Sequence, residues 1–377
     1  MGKSNLGKVT SITMGQSPPS ETYNTEGIGL PFFQGKTDFG IMYPSVRVHC
    51  KQPQKVAQTD DVLISVRAPV GATNIADQRC CIGRGLAAIS AMPEITYHKY
   101  VFYYLRYCEK EIEGMGVGST FKAISKKDLE AIQIPLPPLP IQKKVADALD
   151  RASALIEKRK AQIEKLDLLI KSKFIDMFGD PVTNPMRWGI KQLGELGELN
   201  RGISKHRPRN APELLGGKYP FVQTGEIAGA DLYIATYSSS YSEIGYKQSK
   251  MWPKGTLCIT IAANIAKTAI LDFDACFPDS VVGFIPNEST NQLFIHFWFS
   301  FFQETIEEQA PQSAQKNINL QILRELQVIV PPLTLQTDFV NFLEIIERLK
   351  LKIRRGLKES ELLYKSLMQT CFSDNIF

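Results

Sequence analysis

The stretch Pro137-Pro138-Leu139-Pro140-Ile141-Gln142 decides how this chain is read, because it returns as Pro331-Pro332-Leu333-Thr334-Leu335-Gln336, an offset of 194 residues. Self-similarity at a fixed spacing governs architecture before any local feature does. At the same offset Ser119, Lys122, Ile124 and Leu129 reappear as Ser313, Lys316, Ile318 and Leu323, and Phe178 and Asp180 reappear as Phe372 and Asp374. Further upstream, Ile75, Asp77, Cys81 and Ile89 match Ile270, Asp272, Cys276 and Phe284 at 195, while Pro31, Phe32 and Gln34 match Pro220, Phe221 and Gln223 at 189. Matches that stay collinear over this distance predict a duplicated unit whose loops have gained or lost a few residues.

Each copy has one internal order. A stretch rich in Gly, Pro, Thr and aromatics holds short apolar runs bounded by turn residues, such as Asp61-Val62-Leu63-Ile64-Ser65-Val66 and Gly255-Thr256-Leu257-Cys258-Ile259-Thr260-Ile261, which read as strands. One helical segment lies within it, Tyr97 to Glu113 in the first copy and Leu293 to Glu308 in the second, and Ser125-x-x-Asp128 reads as a capping box. A long helix follows the prolines. From Ile141 to Phe178 there is no Pro or Gly, and Leu149, Ile156, Ile163, Ile170 and Met177 fall seven apart with Leu155, Leu166 and Leu169 beside them. That is the seam of a coiled coil or bundle. The second helix, Leu335 to Phe372, carries Phe339, Phe342, Ile346, Leu349, Ile353, Leu363 and Leu367 on a similar stripe, weakened by Gly356 and Ser360. The expected fold is therefore mixed α/β (α+β). Globular domains at 1–135 and 181–330 are separated by helices at 136–180 and 331–377 that pack antiparallel as a coiled coil, with a pseudo-two-fold axis between the halves. The alternative is that each helix packs only on its own domain.

Composition limits the function. The chain has 377 residues, 44% hydrophobic and 22% charged, with a net charge of +5. Its most apolar run, Leu293 to Phe302, is too short to span a bilayer, so a soluble, cytoplasmic protein is expected. Seven cysteines without a Cys-x-x-Cys pair read as free thiols, with no metal site. Catalytic motifs are missing as well. Asn184-Pro185-Met186-Arg187 lacks the second proline and the aromatic of an adenine methyltransferase motif, and Gly114, Gly116 and Gly118 follow a helix rather than a strand. No lysine has an acidic residue two positions before it, and no phosphate-binding loop, His-Glu-x-x-His or Gly-x-Ser-x-Gly occurs. The chain is expected not to be an enzyme and to bind no cofactor itself.

A diverged duplication with two-fold geometry suits double-stranded DNA, whose readers engage half-sites set apart along the helix. The two domains then read two different half-sites and the helices measure the gap. Candidate DNA contacts in the first domain are Gln16, Ser17, Gln34, Lys36, Arg47, Arg67 and Lys122. In the second they are Lys205, His206, Arg207, Arg209, Gln223, Thr224, Lys247, Lys250, Asn264, Lys267 and Lys316. Arg reads guanine and Asn or Gln reads adenine through paired hydrogen bonds, while the dense basic loop from Lys205 to Arg209 suits phosphate. His49, His98 and His296 read as structural. The helix or subunit interface is assigned to Leu149, Ile156, Ile163, Leu166, Ile170, Phe339, Phe342, Ile346, Leu349, Ile353 and Leu363.

These features have a family likeness. Ile82-Gly83-Arg84-Gly85-Leu86-Ala87-Ala88-Ile89, the stretch from Ser119 through Ile124 to Gln142, and Phe178-Gly179-Asp180-Pro181-Val182-Thr183-Asn184-Pro185 with Trp188 and Leu193-Gly194 appear in order, twice over where the repeat applies. Along nearly its whole length the chain resembles the specificity subunit of type I restriction-modification systems. The resemblance implies two target-recognition domains reading a bipartite, asymmetric DNA site. It also implies helices that dock two modification subunits, which bring S-adenosylmethionine and methylate adenine, and restriction subunits that add a motor nuclease. Pro140, Thr334 and the Ala314-Gln315 pair facing Thr120-Phe121 depart from the usual pattern. Two other readings stay open: a specificity chain serving a fused restriction-methylation enzyme, and a structural adaptor that does not touch DNA.

Overall fold

The computed structural model describes residues 2–116, 123–206, 208, 211–262, 265–309 and 318–373. The chain forms two compact units: Met1–Ala161 with Arg354–Phe377, and Gln162–Ile353.

In the first unit a four-stranded antiparallel sheet runs in the order Thr10–Met14, Leu86–Ala91, Val62–Ser65, Thr73–Ile75. The central strand Val62–Ser65 is buried at all four residues, as its unbroken apolar run requires of a strand covered on both faces. A second sheet orders Tyr23–Asn24, His49–Cys50, Leu30–Phe33, Cys80–Ile82 and Val56–Ala57, with Phe32 and Cys81 paired in parallel strands. The second unit repeats this plan. Its five-stranded sheet orders Gly197–Arg201, Val281–Pro286, Leu257–Thr260, Thr268–Leu271 and Tyr233–Ile234. Its second sheet again holds one parallel pairing, Phe221 with Cys276. The duplication expected from sequence is thus present in the strands, and the fold is mixed helix and sheet. The segment expected as one helix from Tyr97 to Glu113 is two, His98–Tyr107 and Glu109–Met115, broken at Cys108 where ψ opens to 5°. Its counterpart in the second unit is a single helix, Gln292–Gln309. The capping box forms: the Ser125 hydroxyl accepts from the Asp128 N–H at 3.3 Å, and the Asp128 carboxylate accepts from the Ser125 N–H at 2.7 Å.

The long helices span Leu139–Phe178 and Leu333–Phe372, 40 residues each, and each starts two residues before the sequence expectation. Pro140 is tolerated because the first turn has no intrahelical acceptor for its missing N–H. Both helices contribute to both units. In the second unit Phe174 and Phe178 each lie 5.5 Å from Phe339, and Asp167 meets Lys350 at 2.7 Å, so numbering falls along one helix as it rises along the other. In the first unit Arg159 lies over Gly356, while Ala146 and Leu149 share a core with Met368 and Phe372, which gives the same antiparallel sense.

The seam differs from the expected stripe on the second helix. Leu149, Ile156, Ile170, Phe339 and Ile346 are buried, and Ile163, Leu166, Phe342 and Ile353 are half-buried. Leu349 and Leu363, however, are 43% and 55% exposed, and Leu155 and Leu169 also face out. The inner face runs instead through Leu343, Ile346, Lys350, Ser360, Tyr364 and Met368. Two of these positions are polar, so a search for apolar residues alone slides off the true face. Both are satisfied: Lys350 Nζ lies 2.7 Å from Asp167 and from Glu347, and the Ser360 hydroxyl donates to the Gly356 carbonyl at 2.8 Å. The helix runs unbroken through Gly356, where a Cβ would fall 1.5 Å from Arg159 Nη1.

The repeated glutamines explain why the opening motif is duplicated. Gln142 is fully buried; its side-chain oxygen accepts from the Tyr97 N–H at 2.9 Å and its amide donates to the carbonyls of Ile95 and Pro137, each at 2.9 Å. Gln336 does the same in the second unit with the Asn291 N–H at 3.1 Å and the carbonyls of Ser289 and Pro331 at 3.3 and 2.9 Å. One side chain therefore ties the proline turn, the start of the long helix and the segment before the domain helix. Gln142→Leu leaves a buried donor and two acceptors without partners and is expected to cost about 3 kcal/mol, read as a lowered denaturation midpoint.

Candidate nucleic-acid interface

In the first unit the parallel strands Leu30–Phe33 and Cys80–Ile82 end side by side, so Gln34 leaves the sheet next to the turn Gly83-Arg84-Gly85. Backbone bonds fix this junction. The Gly83 N–H donates to Phe33 O at 2.8 Å, Gln16 N–H to Ile82 O at 3.0 Å, and Val66 N–H to Gly85 O at 2.9 Å. The Arg84 N–H donates to Ser17 Oγ at 3.2 Å. A Cβ on Gly85 would lie 2.2 Å from the Gln34 carbonyl oxygen, and one on Gly15 would lie 2.1 Å from that of Gly83, so no larger residue fits where these loops meet. Four of the expected residues, Gln16, Ser17, Gln34 and Arg67, are thus brought to one turn. Arg84 joins them, exposed between two buried glycines. Arg84 is not among the expected contacts, although a charged residue between two glycines marks it in the sequence.

Arg47 stands close by, lining a hollow of about 330 Å³ with Tyr23, Phe32 and Gln34. Its guanidinium is held by the Asp38 carboxylate and, at 2.8 Å, by the Thr37 carbonyl. Tyr23 stacks on Phe32 at 4.6 Å, and burial raises its phenol pKa. Lys36 leans away toward Glu109, 3.9 Å distant. Lys122 lies outside the described residues.

The second unit builds the same junction. Gly202 N–H donates to Val281 O at 2.9 Å and Ile261 N–H to Ser280 O at 3.0 Å, the counterparts of Gly15 with Leu86 and Val66 with Gly85. Gln223 leaves its sheet as Gln34 does, exposed and followed by half-buried Thr224. The N–H groups of Lys205 and His206 both donate to Gln248 Oε1, and the Ser249 hydroxyl donates to the Ile203 carbonyl at 2.8 Å. These bonds bring Lys205, His206, Lys247 and Lys250 together. His206 Nε2 is 3.5 Å from Glu213, and Lys250 Nζ is 3.4 Å from Glu198 and 4.0 Å over the Trp252 ring. Lys267 is exposed beside Thr260, to whose hydroxyl its N–H donates at 3.1 Å. Arg207, Arg209, Asn264 and Lys316 lie outside the described residues.

His296 is buried against the Thr268 hydroxyl at 2.9 Å, with burial lowering its pKa to about 4, and His98 sits 3.5 Å from Asp60. Burial pushes the Cys80 and Cys81 thiols up to about 12, so neither is a nucleophile near neutrality. Among the described residues no three His, Cys, Asp or Glu side chains gather as metal ligands, and no helix is long and apolar enough to cross a membrane. What both junctions offer is exposed hydrogen-bonding side chains on a fixed backbone, the chemistry of base-edge and phosphate recognition.

The family described as type I restriction modification DNA specificity domain matches residues 1–165 and 185–361. The MjaX type I restriction enzyme specificity subunit of Methanocaldococcus jannaschii is 52% identical over 174 residues, 44% of this chain and 41% of that protein. The EcoBI specificity subunit of Escherichia coli is 21% identical over 373 residues, 90% of this chain and 77% of its own. The chain spans about half the length of the first curated relatives it matches. In fold, the crystal structure of a type I restriction-modification S subunit from M. genitalium superposes with a TM-score of 0.67 at 17% identity, covering 99% of this chain and 96% of that one.

Proposed function

This chain belongs to the type I restriction modification DNA specificity family, and from that premise we propose that it selects a bipartite, asymmetric DNA site for modification and restriction partners and carries out no chemistry itself. The observation that carries the reading is the repeated junction: the backbone bonds Gly15 to Leu86 and Val66 to Gly85 in the first unit return as Gly202 to Val281 and Ile261 to Ser280 in the second, with different side chains around them. A common frame sets both readers on DNA in the same way, and different side chains give different half-sites. In this reading 1–135 and 181–330 are the target-recognition domains, and 136–180 and 331–377 supply the spacer.

The exposed leucines support the partner assignment. Leu155, Leu168 and Leu169 on the first long helix and Leu349, Leu351, Leu362 and Leu363 on the second are all more than 40% exposed. Large apolar side chains repeated along outward helix faces are what subunit docking needs. The methylating subunit would bring S-adenosylmethionine, and adenine N6 would be the acceptor.

The test is selection from random duplex DNA by the purified chain together with its modification subunit. Two enriched blocks separated by an unread gap of constant length are expected. Enrichment of one continuous block, or none in a complex that retains methyltransferase activity, would contradict the proposal.

A further inference from the structure

We propose that Arg84 reads a guanine in the half-site taken by the first unit. The inference rests on the DNA-reading role given above and names the side chain that decides one letter of it.

The correspondence comes from the backbone. Gly15 bonds Leu86 and Val66 bonds Gly85 in the first unit, as Gly202 bonds Val281 and Ile261 bonds Ser280 in the second. Counting back from these bonds, Arg84 falls on Asp279. A carboxylate facing a phosphate is repelled, so this position does not anchor the DNA backbone in the second unit. The turn itself differs between the units, with Pro278 and Ser280 where Gly83 and Gly85 stand, and a side chain that changes sign between two readers of unlike half-sites suits base reading: Arg donates two hydrogen bonds to guanine O6 and N7.

The surroundings of Arg84 suit the task. Among the described residues it has no ion-pair partner, in contrast to Arg47, Lys36 and Lys250, which are all turned to carboxylates. Its backbone is clamped by the close-packed glycines and by its N–H bond to Ser17, so the guanidinium starts from a fixed origin. Gln34, exposed, lies against the same turn: its Cγ would be 3.2 Å from a Cβ on Gly83. An Arg and a Gln side by side can read neighbouring base pairs, while Arg67, reached through the Val66 bond, is placed to take a phosphate.

The experiment compares wild type, Arg84→Ala and Arg84→Lys, each assembled with the modification subunit, by mapping N6-methyladenine over a genome otherwise free of it. The side chain is exposed and makes no structural bond, so all three are expected to melt alike. Arg84→Ala should relax one position of one half-motif from guanine to mixed bases, lowering discrimination there about tenfold or more, with the gap and the other half-motif unchanged. Arg84→Lys should restore overall binding without restoring the guanine preference. If Arg84→Ala instead weakens all sites alike and lowers the salt dependence by about one phosphate contact, Arg84 is an anchor and the inference is wrong. It is equally wrong if neither variant moves any letter while wild type gives a two-part motif. A wild-type chain that gives no two-part motif overturns the underlying reading, and the inference with it.

Discussion

Phe174→Ala is expected to destabilise the second unit by about 4 kcal/mol, the cost of emptying a fully enclosed aromatic site. The ring is in contact with four others: Phe178 at 4.8 Å, Phe301 at 5.0 Å, Phe339 at 5.5 Å and Phe294 at 5.6 Å. These come from both long helices and from the domain helix Gln292–Gln309, so no single element can move to close the cavity. The loss combines removed apolar contact with a void among rigid rings. Denaturant unfolding followed by tryptophan fluorescence reads it directly, since Trp298 lies in the same core. A midpoint shift equivalent to less than 1 kcal/mol would show that the helix junction is not packed as described.

Seven residues added to both long helices, after Leu155 and after Ser360, should lengthen the unread gap by about three base pairs. Seven residues of helix rise about 10 Å, and DNA rises about 3.4 Å per base pair. A heptad keeps the inner face in phase, whereas a four-residue insertion would rotate everything beyond it away from the partner helix. Insertion in one helix alone would leave a stretch of seam unmatched and is expected to yield insoluble or inactive protein. In the doubly lengthened chain both half-motifs should keep their letters, because no junction residue has been touched. Methylation mapping gives gap and letters together, and an unchanged gap would remove the helices from any role in measuring it.

The parts of the fold that were legible in the sequence are those fixed by local pattern or by comparison of the chain with itself. The duplication, the strands within 61–66 and 255–261, the capping box at Ser125 and both long helices needed only periodicity, turn residues and caps. The inner face of the second helix was not legible, because Lys350 and Ser360 occupy it and their burial depends on Asp167 and on the helix backbone. The site was partly legible. Gln16, Ser17, Gln34 and Arg67 were expected from residue type beside turns, and the fold joins them. Residue type could not reveal that Arg47 is tied to Asp38 or Lys250 to Glu198, since an ion pair between segments is a property of the packed chain. Nor could it separate Arg84 from other surface arginines, because the clamp around its turn comes from loops distant in sequence.

The most direct test of the whole account is to express this chain with its modification subunit in a host lacking N6-methyladenine and to map that base across the genome. Methylation confined to a motif of two unlike blocks separated by a fixed number of arbitrary bases is expected. Methylation at a single uninterrupted motif, or methyl transfer by this chain purified alone, would contradict it.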